Sequence, residues 1–441
     1  MPTDYAGNPN SYPESVTLFD DTLPPTGSNI NPMVQAGALD RTAWLRVRLS
    51  SPAAANWWPA QTRTGIAAAL AFMGGGATLG WGGFSYSAIS GTWLAILNWN
   101  TMAANAYAVL ESTDGGRTWT LGFETLMETG TSLCYCAASP PATSNSPITV
   151  IISGESATPK ASAHAFNESS ATEVVTTLVG GAEAAGIVAL PSPDATPVIF
   201  VTYYTTKAAA AWTGHLAKGD VATGATWTDL TSELLTVGAT NFQAGTGQVG
   251  AIYSDVGWST YSGSLLPTAC FAIQGKRLGT DPAYLMVMVA AGGGVFNPAE
   301  VTSGFLTATG YTQNTFQIAG VAFDQNANLC GVAVNLASGD SAVWVTADFV
   351  TWTQVYTSGI AAMCGLAVID GIWILSNNGS GGVRIIYSSN VAYSLGASTW
   401  TFAQTGFSPS SLSRGGLFSG GTSVLAASDT ALQISLQVGF P

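Results

Sequence analysis

Short apolar runs recur in fours along this chain, and no other feature constrains its fold as tightly. Residues 363–404 give the cleanest unit. Met363 to Ile369 is apolar, and Asp370-Gly371 reads as a hairpin turn, because glycine takes positive φ at no steric cost. Ile372 to Ser376 follows, then a loop from Asn377 to Gly381. Val383 to Ser388 is a third run, and Ser398 to Phe402, centred on Trp400, is a fourth. Residues 318–356 repeat the pattern. There Ile318 to Phe323 precedes a turn at Asp324-Gln325-Asn326, followed by Cys330 to Leu336, Ala342 to Thr346 and Thr351 to Tyr356. The same reading fits 81–121 and 186–230, which end around Trp119 and Trp227, and more loosely 131–178 and 247–305. Each run has the length of a strand rather than a helix.

Four antiparallel strands per unit, at about 50 residues a unit, is the sequence form of a propeller blade. The expected fold class is therefore all-β, a β-propeller of four-stranded blades. Composition fits that reading. The 441 residues include 51 Gly and 14 Trp, and 47% are apolar. Gly is expected in hairpin turns, Trp in fourth strands, and the remaining apolar residues in strands buried between blades. The longest apolar runs, Ile66 to Met73 and Tyr284 to Ala291, fall well short of the ~18 residues of a spanning helix. No membrane insertion is expected. Only 8% of residues are charged, 12 basic against 25 acidic, for a net charge of -13. That balance excludes nucleic acid as a partner, since phosphate recognition needs a basic face.

The turn before the fourth strand is the most specific motif. Ser112-Thr113-Asp114-Gly115-Gly116-Arg117-Thr118-Trp119 reads Ser-x-Asp-x-Gly-x-Thr-Trp. Asp can accept backbone N–H bonds inside the turn, Gly takes the positive φ, and Trp supplies a large apolar area. Thr346-Ala347-Asp348-Phe349-Val350-Thr351-Trp352 is a shortened copy without the Gly. Lys218-Gly219-Asp220 with Ala225-Thr226-Trp227, and Ser388-Ser389-Asn390 with Ser398-Thr399-Trp400, are looser copies. This set resembles the Asp-box of sialidase-like (BNR-repeat) propellers. The structural positions it marks are Ser112, Asp114, Gly116, Thr118 and Trp119, then Asp220, Trp227, Asp348, Trp352 and Trp400. The last unit has three strands, Gly415 to Ser419, Ser423 to Ala427 and Ala431 to Val438. A shared N-/C-terminal blade would take its fourth from residues 59–73, including Gly65 to Phe72. Seven blades over residues 51–441 are expected. Six is the alternative, because rings of the resembled family often have six.

Residues 1–50 are different in kind. Pro2, Pro9, Pro13, Pro24 and Pro25 stand among polar residues with no visible period, which describes an extended arm. Asn31-Pro32 reads as the start of a short helix over Met33 to Ala43, and Leu45 to Leu49 alternates as a strand. Met1 to Tyr12 has neither a basic nor an apolar segment, so it is not expected to be a secretory signal. The segment from Gly37 to Leu45 resembles a stretch near the N-termini of phage tail and tail-like particle proteins. The resemblance implies attachment through Leu39, Asp40, Arg41, Trp44 and Leu45, with other subunits of a phage-like particle as partners. It also implies residence in a virion or an extracellular phage-like particle. The other reading of the arm is a disordered tail or a strap across the propeller's own face.

The chemistry expected of a sialidase-like ring is thinly represented. The eight arginines are Arg41, Arg46, Arg48, Arg63, Arg117, Arg277, Arg384 and Arg414. Arg384-Ile385-Ile386 lacks the Pro of the family's Arg-Ile-Pro element, and three convergent arginines are hard to assemble from the rest. A general glycosidase needs two carboxylates across the scissile bond. Glu124, Glu128, Asp255, Asp281 and Glu300 are available, and no spacing pairs them. Gly245 to Gly250 matches GxGxxG, but a strand rather than a helix is expected after it. Cys134, Cys136, Cys270, Cys330 and Cys364 form neither a disulfide framework nor, with His164 and His215, a zinc pattern. They are expected as small buried apolar residues. No catalytic residue, metal or cofactor is assigned. Trp57, Trp58, Trp81, Trp93, Trp99 and Trp258 with Tyr261 are candidates for stacking on sugar rings, with Trp57, Trp58, Trp258 and Tyr261 foremost. The leading expectation is a non-enzymatic structural or glycan-binding component of a phage tail or contractile particle. The alternatives are a glycan-active hydrolase and a free-standing bacterial assembly factor.

Overall fold

The computed structural model describes, within residues 57–438, the strands given below, the α-helix Thr302–Thr309, a short 3-10 helix at Tyr261–Gly263 and several turns; residues 1–56 and many inter-strand segments are outside the described residues. Side-chain detail is concentrated in residues 63–121, 255–376 and 417–427.

Seven four-stranded antiparallel sheets are present among the described residues. Sheet I holds Leu79–Ser87, Thr92–Trp99, Ala106–Ser112 and Thr120–Leu126. Sheet II holds Leu133–Ala137, Ile148–Gly154, Ala161–Asn167 and Thr172–Thr177. Sheet III holds Ala182–Leu190, Val198–Ala208, Ala211–Asp220 and the two-residue strand Thr228–Asp229. Sheet IV holds Ile252–Ser259, Leu266–Lys276, Pro282–Gly292 and Val295–Glu300. Sheet V holds Phe316–Asp324, Leu329–Leu336, Ser341–Thr346 and Thr353–Ser358. Sheet VI holds Met363–Ile369, Ile372–Asn377, Arg384–Ser388 and Trp400–Gln404. Sheet VII joins Leu412–Gly420, Ser423–Ser428 and Gln433–Val438 to the N-terminal strand Trp57–Gln61.

In sheets I to VI the strands pair in chain order, each with the next. The first strand of each sheet lies against the first strand of the following one, and that of sheet VII lies against that of sheet I. Sheets placed face to face in sequence order make a β-propeller. Alternation explains why these segments are strands. One set of side chains faces the preceding sheet and the other the following sheet, so both faces are buried and the strands read as nearly continuous apolar runs.

Three seams show how neighbouring sheets lock. Between sheets VII and I, the Trp93 Nε1–H donates to Ser423 Oγ at 3.0 Å, and the Phe84 and Phe418 rings are 4.8 Å apart. Between V and VI, the Asn335 amide accepts from Met363 N at 2.8 Å and donates to Met363 O at 2.9 Å, pairing with the neighbouring backbone as a strand edge would. Between IV and V, Asp255 Oδ2 accepts from Phe323 N at 2.7 Å. Each bond satisfies a polar group that the packing would otherwise bury unpaired.

Several expectations need correction. The strand that completes sheet VII is Trp57–Gln61, in register Trp57↔Gln437 and Trp58↔Leu436, rather than Gly65 to Phe72. The chain turns away at once: Ile66 N bonds to Arg63 O at 3.3 Å, Gly65 has φ 94°, and Ile66 is buried with Trp119. Gly65 sits against the Trp119 carbonyl so closely that a Cβ would overlap it. Gly is also not confined to turns. Gly331 and Gly420 lie in strands and receive the rings of Trp373 and of Tyr86 with Trp93 from the next sheet, and a Cβ at either would overlap them. Nor is Trp confined to fourth strands: the fully buried Trp93 and Trp373 are in second strands. Trp119 and Trp352 stand one residue before their fourth strands rather than inside them. Finally, the helix Thr302–Thr309 follows sheet IV, where only strands were expected; Phe305 anchors it, fully buried.

Candidate functional site

The Asp114 turn links the third and fourth strands of sheet I. Asp114 Oδ1 accepts from Ser112 Oγ at 2.8 Å, from Arg117 N at 3.0 Å and from Thr118 N at 2.9 Å. Oδ2 accepts from Thr118 Oγ1 at 2.6 Å. Ser112 Oγ in turn accepts from Gly116 N at 2.9 Å, and the Trp119 Nε1–H donates to Gly116 O at 3.0 Å. Arg117 Nη1 donates to Asp114 O at 3.1 Å, so this arginine is drawn into the turn. Partial burial alone would raise the Asp114 carboxyl. The hydrogen bonds from Thr118, Ser112 and the Arg117 backbone outweigh it and hold the group below the ordinary carboxylate range.

Sheet V has the same device with one residue fewer. Thr346 Oγ1 accepts from Phe349 N at 2.8 Å, as Ser112 Oγ does from Gly116 N. Asp348 Oδ1 accepts from Val350 N at 2.9 Å and Thr351 N at 2.7 Å. Desolvation opposes ionisation here too, and the bonds from Thr351, Val350 and Thr346 again prevail, lowering the Asp348 carboxyl. Phe349 holds the place of Gly116 at φ 59°, a conformation that costs a non-Gly residue. Its buried ring compensates, lying 6.2 Å from Trp352 and 6.4 Å from Phe323. These carboxylates are structural: each is spent on its own turn.

Asp255 and Glu300, two of the candidate carboxylates, are also spent on the scaffold. Asp255 bonds across to sheet V. Glu300 caps the helix, accepting from Ser303 N at 3.0 Å and Ser303 Oγ at 2.8 Å. Glu124 is in the fourth strand of sheet I with its side chain outside the described residues, and Glu128 and Asp281 are outside them altogether. Of the arginines, Arg63 is buried at 3% exposure, and burial lowers its pKa.

Trp81 and Trp93 are buried and so closed to a sugar ring. Among the described residues the exposed large hydrophobic side chains are Trp258 at 41%, Leu265 at 51% and Val350 at 69%. Trp258 pairs with Pro267, one step before the hairpin end of its strand. That is the register position of Tyr86 in sheet I (opposite Trp93) and of Phe323 in sheet V (opposite Cys330). Tyr86 sits against Gly420 of sheet VII and Phe323 against Gly257 of sheet IV. Trp258 therefore occupies a seam position that is covered elsewhere and is partly open here. Thr260 and Ser264, both exposed, flank it in the hairpin, and Tyr261 is half-buried against the core shared by sheets IV and V. The hairpin is held to the Asp348 turn, with Thr260 N donating to Ala347 O at 2.8 Å and Thr260 Oγ1 to the same oxygen at 3.1 Å.

Trp57 and Trp58 are in the outermost strand of sheet VII, and Asp220 and Trp400 are in strands of sheets III and VI; their side chains are not among those described. Trp227, the GxGxxG segment 245–250 and the attachment residues Leu39, Asp40, Arg41, Trp44 and Leu45 are outside the described residues, as is the expected helix at 33–43. Reading the sequence alone missed the Gly-x-Trp signal, Gly91-Thr92-Trp93 and Gly371-Ile372-Trp373. It places a Trp immediately after a hairpin and marks where one sheet keys into the one before it.

Neither a protein-family model nor a curated protein matches the chain. Among solved structures, Sqt1 from Chaetomium thermophilum is 11% identical over 82% of this chain and 97% of its own, with a TM-score of 0.42. The GH93 alpha-L-arabinofuranosidase of Fusarium graminearum is 10% identical, covering 74% and 91%, with a TM-score of 0.39. The fucose-recognising Aleuria aurantia lectin, a six-bladed β-propeller, is 10% identical, covering 76% and 97%, with a TM-score of 0.35. Prolyl oligopeptidase B from Galerina marginata is 10% identical with a TM-score of 0.40, and the alignment spans only 46% of its length. The fold assignment rests on the order and pairing of the sheets rather than on these likenesses.

Proposed function

We propose that this chain is a non-enzymatic, glycan-binding β-propeller of seven blades. Its ring closes through a blade shared between Trp57–Gln61 and the three C-terminal strands, and it is carried on a phage-like particle by residues 1–50. The observation that carries the binding reading is Trp258. A flat apolar ring is left 41% exposed at a seam position, next to the neutral hydroxyl of Thr260 and the exposed Ser264. Sugar rings are recognised by that combination of an aromatic face and uncharged hydrogen-bonding groups. Four carboxylates, Asp114, Asp348, Asp255 and Glu300, favour binding over hydrolysis, because each is tied into a turn, seam or cap. Attachment through Leu39 to Leu45 rests on the resemblance of that segment and on the Pro-rich arm before it.

The test is a neutral-glycan array probed with the full chain and with Trp258→Ala. Binding by the full chain that drops at least tenfold in the variant, at unchanged melting temperature, is the expected result. Release of reducing sugar from any bound glycan would replace this reading with the hydrolase one. Co-purification with a tail particle should be lost on deleting residues 1–50; its retention would remove the attachment role.

A further inference from the structure

The seam between sheets IV and V differs from two others in one side chain. In sheets I and VI, the first residue pair inside the hairpin end is Tyr86↔Trp93 and Val368↔Trp373. Each Trp stands two residues after a positive-φ glycine, Gly91 or Gly371, and keys into the preceding sheet. In sheet V the same register pair is Phe323↔Cys330, and the positive-φ residue two before it is Asn328. Where the other seams carry an indole, this one carries a thiol. Across the seam stands a second thiol, Cys270, in the second strand of sheet IV. Cys270 is fully buried and Cys330 is 1% exposed, and both belong to one buried cluster at the seam. The backbone holds them in place. Cys270 pairs with Asp255, Cys330 pairs with Phe323, and the Asp255 carboxylate accepts the Phe323 N–H at 2.7 Å.

We propose that Cys270 and Cys330 are an oxidisable pair that staples sheets IV and V through a disulfide. With hydrogen peroxide as oxidant, one thiolate attacks a peroxide oxygen and the O–O bond breaks, giving a sulfenic acid and, after protonation, water. The second sulfur attacks the sulfenic sulfur, the S–O bond breaks, and a second water leaves. Two thiols lose two electrons and two protons, and the peroxide is reduced to two waters. Oxidised glutathione would serve by exchange, releasing two glutathione thiols.

The surroundings gate this chemistry. Burial, the neighbouring Cys270 and the Asp255 charge push the Cys330 thiol well above its usual range, so little thiolate exists while the seam is closed. Oxidation therefore occurs when the seam opens or before it has formed, and the bond then prevents reopening. A disulfide needs the sulfurs at about 2 Å, closer than thiol contact, so the rotamers must turn inward as it forms.

The experiment uses the full chain, purified reduced and exposed to peroxide in mild urea, which opens seams without global unfolding. Remaining thiols are alkylated and the peptides mapped without reduction. A cross-link joining the peptides of Cys270 and Cys330 is expected, with a melting temperature a few degrees higher that reverts on reduction. Cys330→Ser and Cys270→Ala should each abolish the cross-link and the shift, and Cys364→Ser should preserve both. A disulfide joining any other pair, or oxidation that halts at sulfinic acid on either residue, would overturn the proposal. So would persistence of two free thiols at these positions. The mapping of the unsubstituted chain decides the matter even if a variant folds poorly.

Discussion

At the scale of single residues, this protein uses its scarce charges as turn hardware. Asp114 is half-buried, yet hydrogen bonding keeps it ionised more readily than a free carboxyl. Its role can be read from spacing, because Ser and Thr at i−2 and i+4 of an Asp make sense only if their donors converge on it. Phe349 could not be read so, since a bulky residue at positive φ violates local preference and is explained only by the tertiary pocket formed with Phe323 and Trp352. Asp114→Asn should cost about 1–2 kcal/mol at neutral pH, the worth of charge-assisted bonds after discount for an open site. The pH dependence has a definite sign. A lowered folded-state pKa contributes stability that is full above the unfolded carboxyl value of about 4 and is lost as pH falls through and below it. Urea melts at pH 7 should therefore separate the two proteins, and the gap should narrow in melts at pH 3. A gap unchanged between those pH values would show that the carboxylate's charge is not what the turn uses.

At the scale of the element, strands were legible and their seams were not. Sheets V and VI follow the apolar runs within a residue or two, because strands buried on both faces leave continuous runs bounded by turn residues. The closing strand Trp57–Gln61 lies earlier than the sequence pattern places it, since its pairing is set by partners far away in sequence. The glycine seats were missed for the same reason. Gly331 has no turn to explain it, and its use is visible only once Trp373 lies over it. Gly331→Ala should cost about 1–3 kcal/mol, as overpacking in a dense interior does. Trp373→Leu alone should cost several times RT, as large-to-small core changes do. The double variant should cost less than the two changes summed, because each removes the other's clash or void. Strict additivity in denaturant titrations would separate the two residues energetically.

At the scale of the whole molecule, the question is what keeps the first and last sheets together. Sheets VII and I meet through Phe84 with Phe418 and Trp93 with Ser423, while Trp57–Gln61 pairs with Gln433–Val438 and the chain runs on through Arg63 to Ile66 beneath Trp119. The segment from 57 to 66 thus binds the outer edge of one sheet and the turn end of the next. Without it the edge of Gln433–Val438 would be unpaired, a template for self-association in a chain with only 8% charged residues. Two truncated chains separate this from a role for the arm. A chain beginning at residue 51 keeps the strand and should match the full protein in melting temperature and remain the same size in solution. A chain beginning at residue 67 loses the strand, Arg63 and Ile66 together. It should melt several degrees lower and form concentration-dependent oligomers by light scattering. If the chain from 67 behaves like the chain from 51, Trp57–Gln61 is an ornament on sheet VII, and the contacts between sheets VII and I suffice to hold the first and last sheets together.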